Sequence, residues 1–182
     1  MSEEDSCLWD SRYVQGTPAS AATAYPLTPF ADHQGQFPTT GLTLELACGR
    51  GEAAVWFARA GMSVVGVDVS PEAISLAREL AAKEGVAAQC HFEVFDLDAG
   101  LPPTAPVDLL ICHNFRSPDL YAAMQQRLAP GGLLAIVTLS EVGAAPGRFR
   151  AKPGELAAAF TGLTTVYTSE GEGRAWLLAR KP

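Results

Sequence analysis

The chemistry in this sequence gathers around a short glycine loop and the acids beside it. Gly49 and Gly51 stand where a β-rich run gives way to a helical one, so the backbone can approach a ligand closely and present helix N–H groups to it. Asp68 lies 19 residues beyond Gly49, at the end of the next β-rich run, where a carboxylate can accept both hydroxyls of a ribose. Together these features predict an adenosine-containing cofactor at the switch point of a parallel sheet. Gly49-Arg50-Gly51-Glu52-Ala53-Ala54 also satisfies the relaxed G-x-G-x-x-A form used for NAD and FAD, so the loop alone leaves two cofactor classes open. Three features favour S-adenosylmethionine. Glu45 puts a carboxylate beneath the loop, suited to a cationic amino-acid moiety and poorly suited to a pyrophosphate. Glu52, at the start of the helix, would repel a phosphate. The Pro130-Gly131-Gly132 turn and a closing β-hairpin complete the pattern.

The elements that must position these residues follow from periodicity and punctuation. Strands are expected at Leu42–Ala47, Ser63–Asp68, Ala88–Phe95, Val107–His113 and Leu133–Leu139, alternating with helices over Glu52–Ala60, from Pro71 towards Gly85, and over Asp119–Leu128. Ser70 followed by Pro71 and Glu72 marks the start of the second helix. The tail adds a helix near Glu155–Phe160 and two β-rich runs, Leu163–Ser169 and Arg174–Arg180, whose short Gly171-Glu172-Gly173 connection requires antiparallel pairing. The expected fold is α/β: a Rossmann-like three-layer sandwich on a seven-stranded, mostly parallel sheet with an antiparallel C-terminal hairpin. Residues 14–40, broken by Pro18, Pro26, Pro29 and Pro38, read as an extended segment, so one domain is expected with residues 1–40 preceding a core of 41–182.

Composition narrows the function classes. The chain has 182 residues, a formal net charge of -7 and 48% hydrophobic residues, enough for one full core. The acidic balance argues against affinity based on neutralising many phosphates, so no nucleic-acid partner is expected. Cys7, Cys48, Cys90 and Cys112 include no C-x-x-C pair, and no metal is expected. Glu3, Glu4 and Asp5 replace the apolar core of a secretory signal, and no apolar run reaches membrane length, so a cytoplasmic protein without a membrane partner is expected. The expected state is a monomer or homodimer.

Leu44-Glu45-Leu46-Ala47-Cys48-Gly49-Arg50-Gly51, then Val67-Asp68-Val69-Ser70, then Leu128-Ala129-Pro130-Gly131-Gly132, resemble a class I S-adenosylmethionine-dependent methyltransferase, over residues 41–180. Trp9-Asp10-Ser11-Arg12-Tyr13 and Phe149-Arg150-Ala151-Lys152-Pro153-Gly154-Glu155-Leu156 look more narrowly like the small bacterial tellurite-resistance and thiopurine-type methyltransferases. The resemblance implies that Glu45, the Ala47 backbone, Cys48, Gly49 and Gly51 hold the methionine part. Asp68 would then hold the ribose, Val69 would pack on the adenine, and Asp96 with Leu97 would meet its amino group. His113, Asn114 and Phe115 are implied to line the far side of the cofactor and face the methyl group. Where many such relatives carry His-Arg-Pro a few residues later, this chain has Ser117-Pro118-Asp119.

Methyl transfer from a sulfonium is an in-line displacement that needs alignment and exclusion of water more than strong acid or base. A soft thiolate acceptor needs little base; a hydroxyl or nitrogen acceptor would want one, and His113 is the best-placed candidate, against its reading as a strand-end histidine bonded to a carbonyl. Asn114 and Tyr13 complete the candidate catalytic set, with Tyr13 and Arg12 closing the site as part of an N-terminal flap. Cys48, Cys90 and Cys112 read as packing residues, since this transfer needs no enzyme nucleophile. Arg116, Phe149, Arg150 and Lys152 are candidates for contact with an anionic substrate, against the commoner reading of a surface charge cluster. The alternatives are a nucleotide-dependent oxidoreductase, a non-catalytic S-adenosylmethionine-binding protein, and a methyltransferase acting on a macromolecule rather than a small-molecule acceptor.

Overall fold

The computed structural model describes Asp10 and residues 28–182. Five parallel strands, β1 (Leu42–Leu46), β2 (Ser63–Asp68), β3 (Cys90–Val94), β4 (Val107–His113) and β5 (Leu128–Ser140), form most of one sheet. β7 (Thr164–Gly171) and β8 (Arg174–Arg180) close it as an antiparallel hairpin, with β8 paired antiparallel to β5. The strand order is β3-β2-β1-β4-β5-β8-β7. The order reverses between β1 and β4, where an open α/β sheet leaves a crevice beyond its carboxyl ends. Antiparallel β8, inserted between β5 and β7, departs from the all-parallel order of dinucleotide-binding sheets.

β4 reads Val-Asp-Leu-Leu-Ile-Cys-His with no real alternation, as expected of a strand covered on both faces. One face is covered by α1 (Glu52–Arg59) and α2 (Pro71–Lys83), which contribute Val55, Phe57, Ile74 and Leu80 to the first core layer. The other is covered by α3 (Tyr121–Arg127) and α4 (Glu155–Ala159), where Met124, Leu156 and Phe160 pack on Leu110, Leu134 and Leu177. The start of α2 follows its capping signal: Ser70 Oγ accepts the Ala73 N–H at 3.0 Å, with Pro71 in the first turn.

Most element ends shift by a few residues from the sequence expectation, and three differences are larger. The break at residue 40 falls inside packed structure, because a 3-10 turn over Thr28–Gln36 leads Phe30 and Phe37 into the first core layer. Prolines ended the periodicity there, but burial of two aromatic rings does not require a period. The fifth strand starts at Leu128 rather than Leu133, so the Pro130-Gly131-Gly132 turn lies within it; a Cβ on Gly132 would sit 2.8 Å from the Val107 carbonyl oxygen. An eighth strand, β6 (Arg150–Ala151), pairs with the end of β5 and is too short to leave a pattern.

Candidate active site

The glycine loop is shaped by its own backbone. Ala47 is left-handed at φ 51°, as are Gly49 at 54° and Gly51 at 73°, so the chain turns sharply between β1 and α1. The Cys48 N–H donates to the Val67 carbonyl at 2.9 Å and the Gly51 N–H to the Cys48 carbonyl at 2.9 Å. At Gly51 a side chain would meet Ala77 Cβ at 2.9 Å and the Phe92 ring at 3.0 Å, so glycine is required by space as well as by φ.

Asp68, at the end of β2, holds this loop. Its Oδ2 accepts the Gly49 N–H at 2.9 Å and its Oδ1 accepts the Ser70 N–H at 3.0 Å. A carboxylate has about four acceptor directions, and Ser70, Gly49 and Val69 N–H groups use three of them, so capacity remains for a ribose hydroxyl. Burial pushes the Asp68 carboxyl above its ordinary value, opposed by the N–H groups of Ser70, Gly49 and Val69, and Asp10 adds to the upward push. The Ser70 hydroxyl donates to the Asp10 carboxylate, which sets one residue of the Trp9–Tyr13 segment against the α2 cap, beside the expected ribose position. Tyr13, Arg12 and Trp9 lie outside the described residues.

Glu45 sits beneath the loop and is 4% exposed. Burial drives its carboxyl up to about 8, while the Ala54 N–H in the first turn of α1 pulls downward and Asp68 and Glu52 push upward. Its Oε2 has no hydrogen-bond partner. An orphaned acid oxygen inside the protein calls for a proton or a cation, and the ammonium of an amino-acid moiety fits that need. A pyrophosphate would add negative charge over Glu45 and Asp68. The donor set therefore fits S-adenosylmethionine.

The remaining expected cofactor residues fall along the same edge of the sheet. Val69 is buried after Asp68, and the Phe95 N–H donates to the Asp68 carbonyl at 2.9 Å, which brings the end of β3 alongside. Asp96 Oδ1 accepts the Asp98 N–H at 2.9 Å and caps the 3-10 turn Leu97–Ala99, with Leu97 buried beneath. A cleft of about 430 Å³ runs between this turn and the one at Pro118–Leu120, lined by Leu97, Asp98, Ser117 and Asp119 among others. It joins the expected adenine edge to the region where Ser117-Pro118-Asp119 replaces the common run.

His113 ends β4 and is half-buried. Among the described residues its ring makes no hydrogen bond, unlike a strand-end histidine whose ring is tied to a carbonyl. Burial, and then the Arg174 guanidinium, lower its pKa and favour neutral imidazole. Asn114 follows in a left-handed conformation at φ 60°, with its N–H donating to the Val137 carbonyl at 2.7 Å and its Oδ1 accepting from Arg174 Nη1 at 3.0 Å. Cys48 is buried, and burial, Glu45 and Asp68 raise its thiol pKa, so it stays protonated and is no nucleophile. Cys112 is pushed up to about 12 by burial and Glu45.

Two proposed substrate contacts are redirected by the structure. Arg116 makes a bidentate pair with Glu155, both bonds at 2.7 Å; Tyr121 donates to the same carboxylate at 2.9 Å and the Lys152 N–H at 3.1 Å. Arg150 donates to the Ser140 and Gly173 carbonyls at 2.7 and 3.1 Å. Both arginines tie the late segment to the ends of the strands. Phe149 is 61% exposed, with Arg148 lying over its ring at 5.1 Å. Arg174 was not singled out in the sequence; its only signal was a place at the start of the last strand.

Strand order, glycine loop and ringing acids are those expected of a class I methyltransferase domain with S-adenosylmethionine as cofactor. Residues 43–132 match the family described as a methyltransferase domain. The ribosomal protein L11 methyltransferase of Dechloromonas aromatica is 31% identical over 147 residues, 71% of this chain and 48% of that protein. The first four curated relatives are covered over between 31% and 49% of their length. In fold, the chain is similar to TehB from Haemophilus influenzae, with a TM-score of 0.75 at 18% identity over 96% of this chain and 67% of that one. It is equally similar to the [4+2]-cyclase SpnF, with a TM-score of 0.76 at 16% identity over 100% and 96% of the two chains.

Proposed function

We propose that the protein transfers a methyl group from S-adenosylmethionine to a small-molecule acceptor. The observation that carries this reading is the buried Glu45 carboxyl, whose Oε2 has no hydrogen-bond partner, beneath a glycine loop that Asp68 holds in shape. When bound, the cofactor supplies an electrophilic methyl on a sulfonium. The loop backbone and Glu45 hold its amino-acid part, Asp68 its ribose, and Val69, Asp96 and Leu97 its adenine. His113 and Asn114, at the end of β4, face the acceptor. The lowered His113 pKa keeps the imidazole neutral at physiological pH, so it can take a proton from a hydroxyl or amine acceptor, while a thiolate acceptor needs only alignment. The Ser70–Asp10 bond supports a second role, in which the segment from Trp9 to Tyr13 covers the site and excludes water.

A net charge of -7 supports a small acceptor over an RNA. Among the relatives are one named for ribosomal protein L11 and one for small-subunit ribosomal RNA, so a macromolecular acceptor is the second reading. No described helix is long and apolar enough to cross a membrane. The test is incubation with methyl-labelled S-adenosylmethionine and either a panel of small thiols, phenols and amines or ribosomes and total protein. Label in the small-molecule fraction is expected; label confined to RNA or protein would overturn the acceptor assignment. Removing residues 1–13 should leave a folded protein with poor turnover, and full activity after truncation would refute the covering role.

A further inference from the structure

Of the two polar residues at the end of β4, Asn114 is bonded from β8. β8 runs antiparallel to β5, so its first residue, Arg174, lies at the carboxyl ends of the parallel strands. Its Nη1 donates to Asn114 Oδ1 at 3.0 Å across 60 residues of sequence. A guanidinium has only donors, so it can meet the amide only through the oxygen, and this fixes which way the Asn114 side chain is turned. The NH2 group is left as the free end. Among the described residues Arg174 has no carboxylate partner, whereas Arg116 is paired with Glu155 and Arg150 bonds two carbonyls. The side chain is exposed, and among the described residues its bond to Asn114 is the one side-chain hydrogen bond it makes.

We propose that Arg174 is a positioning residue for the His113–Asn114 pair, orienting the Asn114 amide by a direct hydrogen bond and so bringing its guanidinium to the residue next to His113. This rests on the reading that His113 and Asn114 face the acceptor. The charge acts in the same sense as burial, lowering the imidazole pKa. Among the influences that shift the ring, none opposes it. Glu45 on β1 is in register with Ile111, two residues before His113, and acts on the thiols of Cys48 and Cys112. From β5 the residue in register with His113 is Val137, which is uncharged. A fold that needed only a strand start at this position could use any β-former. A long fork-shaped cation reaching back to the left-handed Asn114 serves to fix a polar group at the site.

The test reads the imidazole and the amide directly, without an acceptor. The purified chain is followed by NMR through a pH titration of its three histidine rings, with His113 identified by its loss in His113→Gln and the Asn114 side-chain amide by its loss in Asn114→Asp. Arg174→Met should raise the His113 midpoint above its wild-type value and displace the Asn114 NH2 signals. Arg174→Lys, which keeps the charge without the fork, should return the His113 midpoint towards wild type while the Asn114 signals stay displaced. An unchanged His113 midpoint and unmoved Asn114 signals in Arg174→Met would overturn the proposal. So would equal effects of Lys and Met on both readouts, since loss of ordinary packing would then suffice. A parallel addition of S-adenosylhomocysteine separates the two layers: His113 signals that ignore it would refute the placement of the ring at the cofactor, and the Arg174 result is read independently.

Discussion

Replacing Glu45 by glutamine should flatten the dependence of apo-protein stability on pH. The folded carboxyl titrates near 8 against an ordinary 4.5, because burial outweighs the Ala54 N–H bond. A raised carboxyl makes the folded state hold a proton that the unfolded state has released. Its favourable contribution is thus complete below 4.5 and declines as pH rises through about 8. The shift caps the loss at about 5 kcal/mol, and linkage gives about 3 kcal/mol of it between about pH 5.5 and about pH 8.5. For a chain of this size that is a melting-temperature fall about 6–12 °C steeper in the wild type than in Glu45→Gln. Asp68, raised in the same direction, is present in both proteins, so the difference between the two curves isolates Glu45. Thermal or urea unfolding at the two pH values measures it. Parallel curves would show that the Glu45 carboxyl is already ionised and satisfied, and would remove the argument that it awaits a cation.

Other substitutions test the remaining parts of the site and its support. Asp68→Asn should weaken S-adenosylhomocysteine binding by about 1.5–3 kcal/mol through ribose contacts and loss of loop shape, as read by calorimetry; unchanged affinity would refute its role. Glu155→Gln should cost about 2–3 kcal/mol of stability, because it strands the Arg116 guanidinium, whose side chain is 16% exposed. Glu84→Gln, which breaks the exposed Arg59–Glu84 pair at 3.3 Å, should cost less than about 1 kcal/mol, and equal losses in urea melts would contradict the buried-network account. Phe30→Ala should cost about 3–5 kcal/mol, since the ring is fully buried. A loss near zero would mean that residues 28–37 are dispensable to the core.

Legibility in the sequence tracked the physical origin of each feature. β2, β4 and β8 could be delimited to the residue because each is a β-branched or apolar run ended by turn chemistry or a charged residue. The glycine loop was legible because φ above zero and close approach of Ala77 and Phe92 admit only glycine at Gly51. Phe30 and Phe37 were not, because a proline-broken 3-10 segment buries single rings without a repeating period. Nor were the partners of Arg116 and Arg150, since a sequence shows the charge and not the carboxylate or carbonyl that folding brings to it. Arg174 and Asn114 meet only because β8 reverses direction, a contact that no local pattern records.

The most direct test of the account is calorimetric titration of the purified protein with S-adenosylhomocysteine and, in parallel, with NADH. Saturable binding of S-adenosylhomocysteine at micromolar Kd or tighter, about -8 kcal/mol or better, with no heat from NADH, is the expected result. Binding of NADH alone would contradict the cofactor reading of the glycine loop, Glu45 and Asp68 together.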